Sequence, residues 1–479
     1  MSSKLRNTLP AVAAFAVTVV FAGCALWTWF VHDAEPGMNV RLPGADGTPA
    51  GEKGKIKKVD LKGRFEQFDG VAANLPGAWP RFRGADSDNI RKDGPPLADA
   101  WPKDGPPVLW KVELGEGHAG PAVLAGRVYL IDYDEAAKSD AIRCFSLADG
   151  KENWRHSYTI SVKRNHGMSR TVPAVTDKCL VTIGPRCHVV CLDPVSGAYR
   201  WGIDLQRDYG TKEPLWYTGQ CPLIDEGKVI LAPCGADVLM MAVDAETGAP
   251  IWKTPNARKW NMSHASVMPM TIAGKKMYVY CAVGGIAGVS ADAVDAGTLL
   301  WDVPWNAKVV APSPVLLNDG KILLCAGYGE GSVMIQVRGE NGAFKAETLY
   351  KRGPKDGITS EQQTPVVFDG LLYGIMPKDS GALRSQFVCY NFKGDLVWSS
   401  GQTNRFGLGP YLLADGKFYV LNDEGALTMI RVSRDGFVPL ATAQILHGQD
   451  SWGPMAIAGD LLLLRDSTQM VCVSLAAGK

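Results

Sequence analysis

Beyond residue 100 the chain repeats itself, and this repeat restricts the fold more than any other feature of the sequence. One of its clearest copies runs Cys221-Pro-Leu-Ile-Asp-Glu-Gly-Lys-Val-Ile-Leu231, then Met241-Ala-Val-Asp-Ala-Glu-Thr-Gly-Ala-Pro-Ile-Trp252. Pro222 opens a strand, Glu226-Gly227 makes a hairpin turn, and the aliphatic alternation after it forms a second strand. A third strand ends at Val243-Asp244. The Asp-Ala-Glu-Thr-Gly stretch that follows is turn chemistry, since Asp bonds the backbone ahead of it and Gly accepts positive φ.

The opening proline recurs as Pro121, Pro173, Pro222, Pro269, Pro314, Pro365, Pro410 and Pro454, at intervals of 44 to 52 residues. Four short strands in a unit of this length mark a β-propeller. The closing Gly-x-x-x-Trp recurs from Gly150 to Trp154, Gly197 to Trp201, Gly248 to Trp252, Gly297 to Trp301 and Gly394 to Trp398. A spacing of four returns a strand side chain to the same face, so each Trp is placed alike, for packing between blades. The copies around Gly342 and Gly436 lack the Trp. The last copy breaks off after Leu475 without a fourth strand, whereas Pro107-Val-Leu-Trp110-Lys-Val-Glu-Leu114 is a fourth strand with no first three. The sequence therefore predicts an all-β, eight-bladed propeller of four-stranded blades, its ring closed by the N-terminal strand so that no edge is left to aggregate.

No residue between Arg6 and His32 is charged, and Leu9 to Val31 is almost wholly apolar, long enough to cross a bilayer as one helix. Lys4 and Arg6 precede it and Asp33 and Glu35 follow, which leaves the N-terminus in the cytoplasm and the rest outside. Phe21-Ala-Gly-Cys24 also resembles a bacterial lipobox, so a lipidated Cys24 is the alternative to an uncleaved anchor. Either way the expectation is an exported chain, single-pass at the cell membrane or a lipoprotein, with the propeller on the periplasmic side. The expected organisation is residues 1–34 as cytoplasmic stub and anchor or signal, 35–78 as a flexible Gly/Pro/Lys-rich tether, and 79–479 as the propeller.

The net charge of +1 and the absence of a zinc-finger or helix-turn-helix pattern give no reason to expect nucleic acid as a partner. The inner-strand proline, the Asp-x-x-Thr-Gly-x-x-x-Trp close and the eightfold count resemble the PQQ-repeat (PQQ-like) propeller superfamily. That family includes quinoprotein alcohol dehydrogenases and the outer-membrane assembly lipoprotein propeller. Trp79-Pro-Arg-Phe-Arg-Gly84, with Trp101 to Trp110 after it, resembles the opening of exported PQQ-like propellers common in planctomycetes. For the enzymes, the resemblance implies pyrroloquinoline quinone (PQQ) under a vicinal disulfide, a calcium or lanthanide ion and an Asp base. This chain has no Cys-Cys pair and no Cys-x-x-Cys-His haem motif, so no electron acceptor is legible.

Of the eleven cysteines, most occupy equivalent places in different blades and read as small buried hydrophobes; Cys179 and Cys191, flanking one hairpin, are the pair that could join. The segments just ahead of the eight prolines should converge at the mouth of the central channel. They carry His118, His166 and Arg170, Tyr217 and Gln220, His264 and Ser266, and Lys308. After these come Glu361, Gln362 and Gln363, Asn404 and Arg405, and Gln449, Asp450 and Trp452. Three readings stay open for this ring. It is a wet channel with hydrogen-bonded loops, or a ligand site in which Arg170 and Arg405 grip an anion beside Trp216 or Trp452, or a metal site of His118, His166 and His264. The histidines lack the close spacing of a metal motif, and no catalytic residue is assigned.

The function expected from these residues is a non-catalytic binding or scaffolding propeller of the cell envelope with a protein partner and no cofactor. The alternative is a PQQ-dependent oxidoreductase of alcohols or sugars. It would use PQQ and Ca²⁺, with Glu361, Asn404 and Asp450 as ligands or base.

Overall fold

Among the described residues eight sheets, each antiparallel within its four blade strands, follow one another along the chain. The structure, a computed structural model, describes residues 15–24, 27, 58–165 and 167–477. Two compact units are distinguished, Met1–Lys53 and Gly54–Lys479. In the first, residues 15–24 are helical and exposed, and most of the expected Leu9 to Val31 span lies outside the described residues. Among the described residues no helix is long and apolar enough to cross a membrane.

The second unit is the eight-bladed propeller. Blade 1 has inner-to-outer strands Ala122–Leu124, Arg127–Asp134, Ser139–Ser146 and Glu152–Thr159. Six further blades start at the inner strands Ala174–Val175, Leu223–Asp225, Met268–Ile272, Val315–Leu316, Val366–Phe368 and Tyr411–Ala414. Each therefore begins at or within two residues of its proline. The last sheet joins Ala456–Ala458, Leu461–Arg465 and Gln469–Ser474 to the early strand Val108–Glu113, with Trp110 opposite Cys472 and Lys111 opposite Val471. Because strands alternate in direction, the linkers between blades and the turns between second and third strands share one face. The other two sets of turns share the opposite face.

Blades dock through the repeated Trp. The indole N–H of Trp110 donates to the Leu147 carbonyl of blade 1 (2.9 Å), Trp154 to Val195 of blade 2 (3.1 Å), and Trp201 to Ala245 of blade 3 (3.0 Å). Each ring also covers the glycine of the next blade's turn. Gly248, at φ +73°, leaves room for the Trp201 ring only because it lacks a Cβ, which would lie 2.7 Å from that ring. The device changes at blade 5. Its last hairpin, Gly331–Glu340 with Ala343–Arg352, is long, and Gly342 meets nothing within 4 Å. Trp301 turns instead to Met277 Sδ of its own blade (3.4 Å). Blade 5 has no Trp of its own, and Arg352 takes its place by donating to the Gly394 carbonyl of blade 6 (2.9 Å).

Residues 58–107, part of which the sequence reads as tether, are packed on the propeller. Arg64–Gln67 adds a fifth strand outside blade 1, and Leu61 is buried against it. The chain then crosses under blade 1, where Ala73 N–H bonds the Gly126 carbonyl (3.0 Å), and enters the axial channel. There Trp79 pairs with Val123 of blade 1, the Pro80 carbonyl accepts from Val175 of blade 2 (2.8 Å), and Arg81 Nη1 donates to Ile224 of blade 3 (2.9 Å). Arg83 Nη1 donates to the Thr364 carbonyl of blade 6 (2.8 Å) and Nη2 to Pro365 (3.1 Å), and Ile90–Arg91 runs parallel to Leu413–Ala414 of blade 7. Arg91 Nη1 reaches Gly459 of blade 8 (2.7 Å). A segment bonded to inner strands on both sides of the ring lies inside it. It is a floor for the channel, on the face away from the linkers.

A polar chain is buried in the seam of blades 1 and 2. The Tyr158 hydroxyl donates to Asp140 Oδ2, the Tyr158 and His188 rings meet edge to face at 5.8 Å, and His188 Nε2 lies 3.6 Å from Asp204 Oδ2. Burial pushes the Asp140 carboxyl up to about 7, and the Tyr158 hydrogen bond opposes that only in part.

Two predictions follow from these contacts. Gly248→Ala and Gly274→Ala both place a methyl at positive φ, but only the first meets an indole, since Gly274 has nothing within 4 Å. Both should lose about 1 kcal/mol from the backbone, and Gly248→Ala roughly 1–3 kcal/mol more, by urea denaturation. A folded Asp140 that holds its proton above the unfolded range stabilises the chain fully at low pH, and that stability is lost as pH rises from the ordinary Asp range to about 7. Asp140→Asn should therefore flatten the fall in stability between pH 4 and 7, measured by thermal unfolding.

Candidate functional site

The linkers bring most of the expected residues together over the channel. Trp216 and Tyr217 lie in the linker from blade 2 to blade 3, both with left-handed backbone (φ +60° and +72°), a conformation that costs a bulky residue energy. The Trp216 ring stacks on His264 of the next linker (centroids 6.2 Å) and, across the mouth, on Tyr328 of blade 5 (5.6 Å). Tyr328 is itself left-handed at φ +59°. On the other side the Trp452 ring lies 5.0 Å from His118, and its N–H donates to Asp423 Oδ1 (2.9 Å). Gln363 Nε2 ties this half together, donating to the Trp452 carbonyl (3.1 Å) and the Leu408 carbonyl (3.3 Å).

Several residues serve the loops that hold this arrangement. Arg170 Nε donates to the Trp216 carbonyl and Nη2 to the carbonyls of Asn165 (2.8 Å) and Gly167 (3.3 Å). Desolvation pushes its guanidinium down to about 10. Arg405 donates through Nε to Gln402 (3.0 Å) and through Nη1 to Arg384 (2.8 Å), both carbonyls. Tyr217 OH donates to the Lys163 carbonyl (2.7 Å). Gln220, fully buried, spans the Ala232 backbone in both directions, at 3.1 and 3.0 Å. Asn404 is exposed and its amide donates to the Ser400 carbonyl (2.9 Å). Gln362 is half-buried, Asp450 is half-buried with φ +58°, and His166 lies outside the described residues.

A belt of hydrogen bonds runs beneath the mouth. The Val172 N–H donates to Cys221 Sγ (3.2 Å), Cys221 to Ser266 Oγ (3.0 Å), Ser266 to Ser313 Oγ (3.0 Å) and Ser313 to Thr364 Oγ1 (2.9 Å). In blades 8 and 1 the buried Arg465 takes over, donating to the carbonyls of Asp466 (2.8 Å) and Ala119 (3.3 Å). Cysteine thus has a polar use at position 221. Cys179 and Cys191 are free, and a hydrogen bond between the two thiols pushes Cys179 down to about 7.

Electrostatics at the mouth are set by burial. Desolvation first, then Arg170, pushes His264 down to about 3, so it is neutral at any working pH. Glu361, 3% exposed, is raised by burial and by Asp379 and Asp423 nearby, while Lys378 opposes the shift. Asp423 is raised too, by burial first and also by Asp450. Tyr328, Lys378, Asp379 and Asp423 are absent from the expected ring because they stand on the turns between second and third strands, not on the linkers. Their position one hairpin after each proline is the signal that would have found them. Among the described residues no three His, Cys, Asp or Glu gather where they could hold a metal.

With the geometry in place, the comparisons with known proteins are informative. The family model of PQQ repeats described as outer membrane protein assembly factor BamB matches residues 138–384, more than half of the chain. The chain belongs to this family. A curated relative, the outer membrane protein assembly factor BamB of Yersinia pestis, is 24% identical over 208 residues, which are 40% of this chain. That likeness spans 49% of the relative, about half its length. The BamB structure from Moraxella catarrhalis superposes with a TM-score of 0.51 at 12% identity, covering 77% of this chain and 99% of that one. A europium-containing methanol dehydrogenase gives 0.58 at 13% identity, covering 84% and 90%. The quinohemoprotein alcohol dehydrogenase of Comamonas testosteroni gives 0.58 at 11%, covering 85% and 82%. At these identities the structures share the fold alone.

His264 yields a pH prediction. Its folded pKa is below the unfolded value, so the unfolded chain binds the extra proton and stability falls as pH drops from 6.5 toward 3. His264→Phe, which keeps a ring beside Trp216, should flatten that acid limb in thermal unfolding between pH 4 and 6.5.

Proposed function

We propose that this BamB-family propeller is exported and held in the cell envelope through its N-terminal region, by a membrane helix or a lipidated Cys24. There it acts as a non-catalytic binding or scaffolding module whose linker face receives a protein partner. The observation that carries this reading is the asymmetry of the two faces. The floor segment crosses the channel on one side, while the linker face presents exposed apolar and aromatic side chains such as Leu215 and Tyr328 on a hydrogen-bonded base. Apolar and aromatic groups on a rigid frame suit recognition of a protein surface. The blade shared by Val108–Glu113 and the last three strands is, on this reading, what closes the ring so that the face keeps its shape under load.

The quinoprotein alternative asks Glu361, Asn404 and Asp450 to hold a hard cation beside PQQ. The residues present do not fit it well. Asn404 is exposed, and among the described residues no three His, Cys, Asp or Glu side chains gather where they could hold a metal. No cofactor is proposed.

Photo-crosslinking in cells tests the partner. A photoreactive residue at Leu215, on the linker face, should trap a discrete envelope protein, and one at Val294, on the opposite face and 90% exposed, should not. No adduct from Leu215, or equal adducts from both, would remove the scaffold reading. Saturable PQQ binding with Ca²⁺ and turnover of an alcohol or sugar by the purified chain would put the enzyme in its place.

A further inference from the structure

The acidic half of the mouth holds a carboxyl that its surroundings satisfy only in part. Glu361 is 3% exposed, Tyr328 and Lys378 act on it, and its Oε2 has no hydrogen-bond partner among the described residues. Asp379 Oδ1 and Ser380 Oγ, on the neighbouring turn, are also buried without one. Asp379 and Asp423 both push the Glu361 carboxyl up, against the nearby Lys378. Tyr328 closes the other side, its ring backed by Trp216 and 45% exposed.

A carboxyl beside an exposed aromatic face is the pairing that recognises an organic cation, the carboxylate by charge and the ring by its quadrupole. The chain itself supplies one. Lys378 Nζ lies 5.9 Å from the Tyr328 centroid and 4.0 Å from Glu361 Oε1. Four ångströms is too long for a hydrogen bond, and the Lys378 side chain is 72% exposed, so the ammonium hovers at the opening without filling it. A structural ion pair would be short and packed, as Arg143 is with Asp132 (2.9 Å, both side chains largely buried).

We propose that Glu361 and the Tyr328 face form a seat for a primary alkylammonium group, the lysine side chain of a partner protein, which Lys378 loosely occupies when the partner is absent. The seat rests on the reading that the linker face receives a protein. Displacing a tethered, weakly held lysine costs little, while the incoming ammonium gains a buried carboxylate and a stacked ring. His264 backs Trp216 from the far side, and Arg170, bonded to the Trp216 carbonyl, supports the stack and reaches Tyr328 through its charge.

The probe is n-butylammonium chloride, titrated into the full chain at pH 8 and followed by Trp fluorescence and by the Tyr328 ring resonances. Butanol serves as the uncharged control, and NaCl and CaCl₂ as further arms. Saturation in the millimolar range is expected, with butanol and NaCl silent. Lys378→Ala removes the internal competitor and should tighten binding about threefold, as expected for a weakly held group at a millimolar effective concentration. Glu361→Gln, which keeps the shape, should weaken it at least about tenfold, the factor that goes with one charge-assisted contact. Tyr328→Leu should weaken it as well, and unchanged thermal unfolding of the variants shows that the fold is intact. Equal response to butanol, no gain in Lys378→Ala, or full retention in Glu361→Gln would overturn the seat. Saturation by CaCl₂ with no response to butylammonium would also overturn it, in favour of a divalent-cation site. Because no partner is needed, a seat that binds butylammonium stands even if crosslinking finds nothing, and crosslinking can succeed while the seat fails.

Discussion

The contact between the last strand of one blade and the closing turn of the next determines how this chain is assembled. A propeller has no single core that all strands share, so neighbouring sheets must meet with a fixed angle at every seam. At the seams carried by Trp110, Trp154 and Trp201 an indole ring lies on a glycine whose positive φ makes the turn, and the indole N–H is bonded to the same turn. Ring and glycine need each other. A Cβ on the glycine would enter the ring, and a smaller residue in place of Trp would leave a void and an unpaired carbonyl, a loss of the order of 3 kcal/mol or more at a buried site. Repeated over three seams, this device fixes how neighbouring blades meet there.

Where the device lapses, the structure becomes particular. Blade 5 has a long outer hairpin in place of a glycine turn, so Trp301 is satisfied within its own blade and Arg352 substitutes for the next Trp. The turn that carries Tyr328 belongs to this same blade and leans across the mouth to reach Trp216. Three large aromatics with left-handed backbone meet in one small region. Such conformations persist only where surrounding bonds over-determine them, and Arg170, clamped on the Trp216 carbonyl, is one of those bonds. The irregular blade and the strained rings are one feature seen from two sides.

The blades were legible because proline, glycine and tryptophan act through their own backbone and stacking, at a period of constant kind. The mouth was legible in part, since position before each proline put Glu361, His264 and Trp452 in one ring. What could not be read was direction. Nothing in the sequence shows that the donors of Arg170 and Arg405 turn inward to carbonyls, because a guanidinium that grips a ligand and one that props a loop look alike in letters. Tyr328 and Asp423 were missed for a different reason, standing a hairpin away in sequence and adjacent only once the sheet folds. Trp79 to Gly84 stood out as a motif, but the path of residues 77–91 through the channel was not legible. Their bonds run through main-chain groups and through Arg81, Arg83 and Arg91 to carbonyls of distant blades, which leaves no periodicity to detect.

That floor bears on what kind of protein this can be. The chain itself crosses the channel on the side away from the linkers, and the linker face stands over a belt of side-chain to backbone bonds. A fixed surface of this kind loses little entropy on binding, which favours recognition. The polar groups closest to the axis are mostly engaged with one another. Glu361, buried with one oxygen unbonded, sits beside the exposed ring of Tyr328.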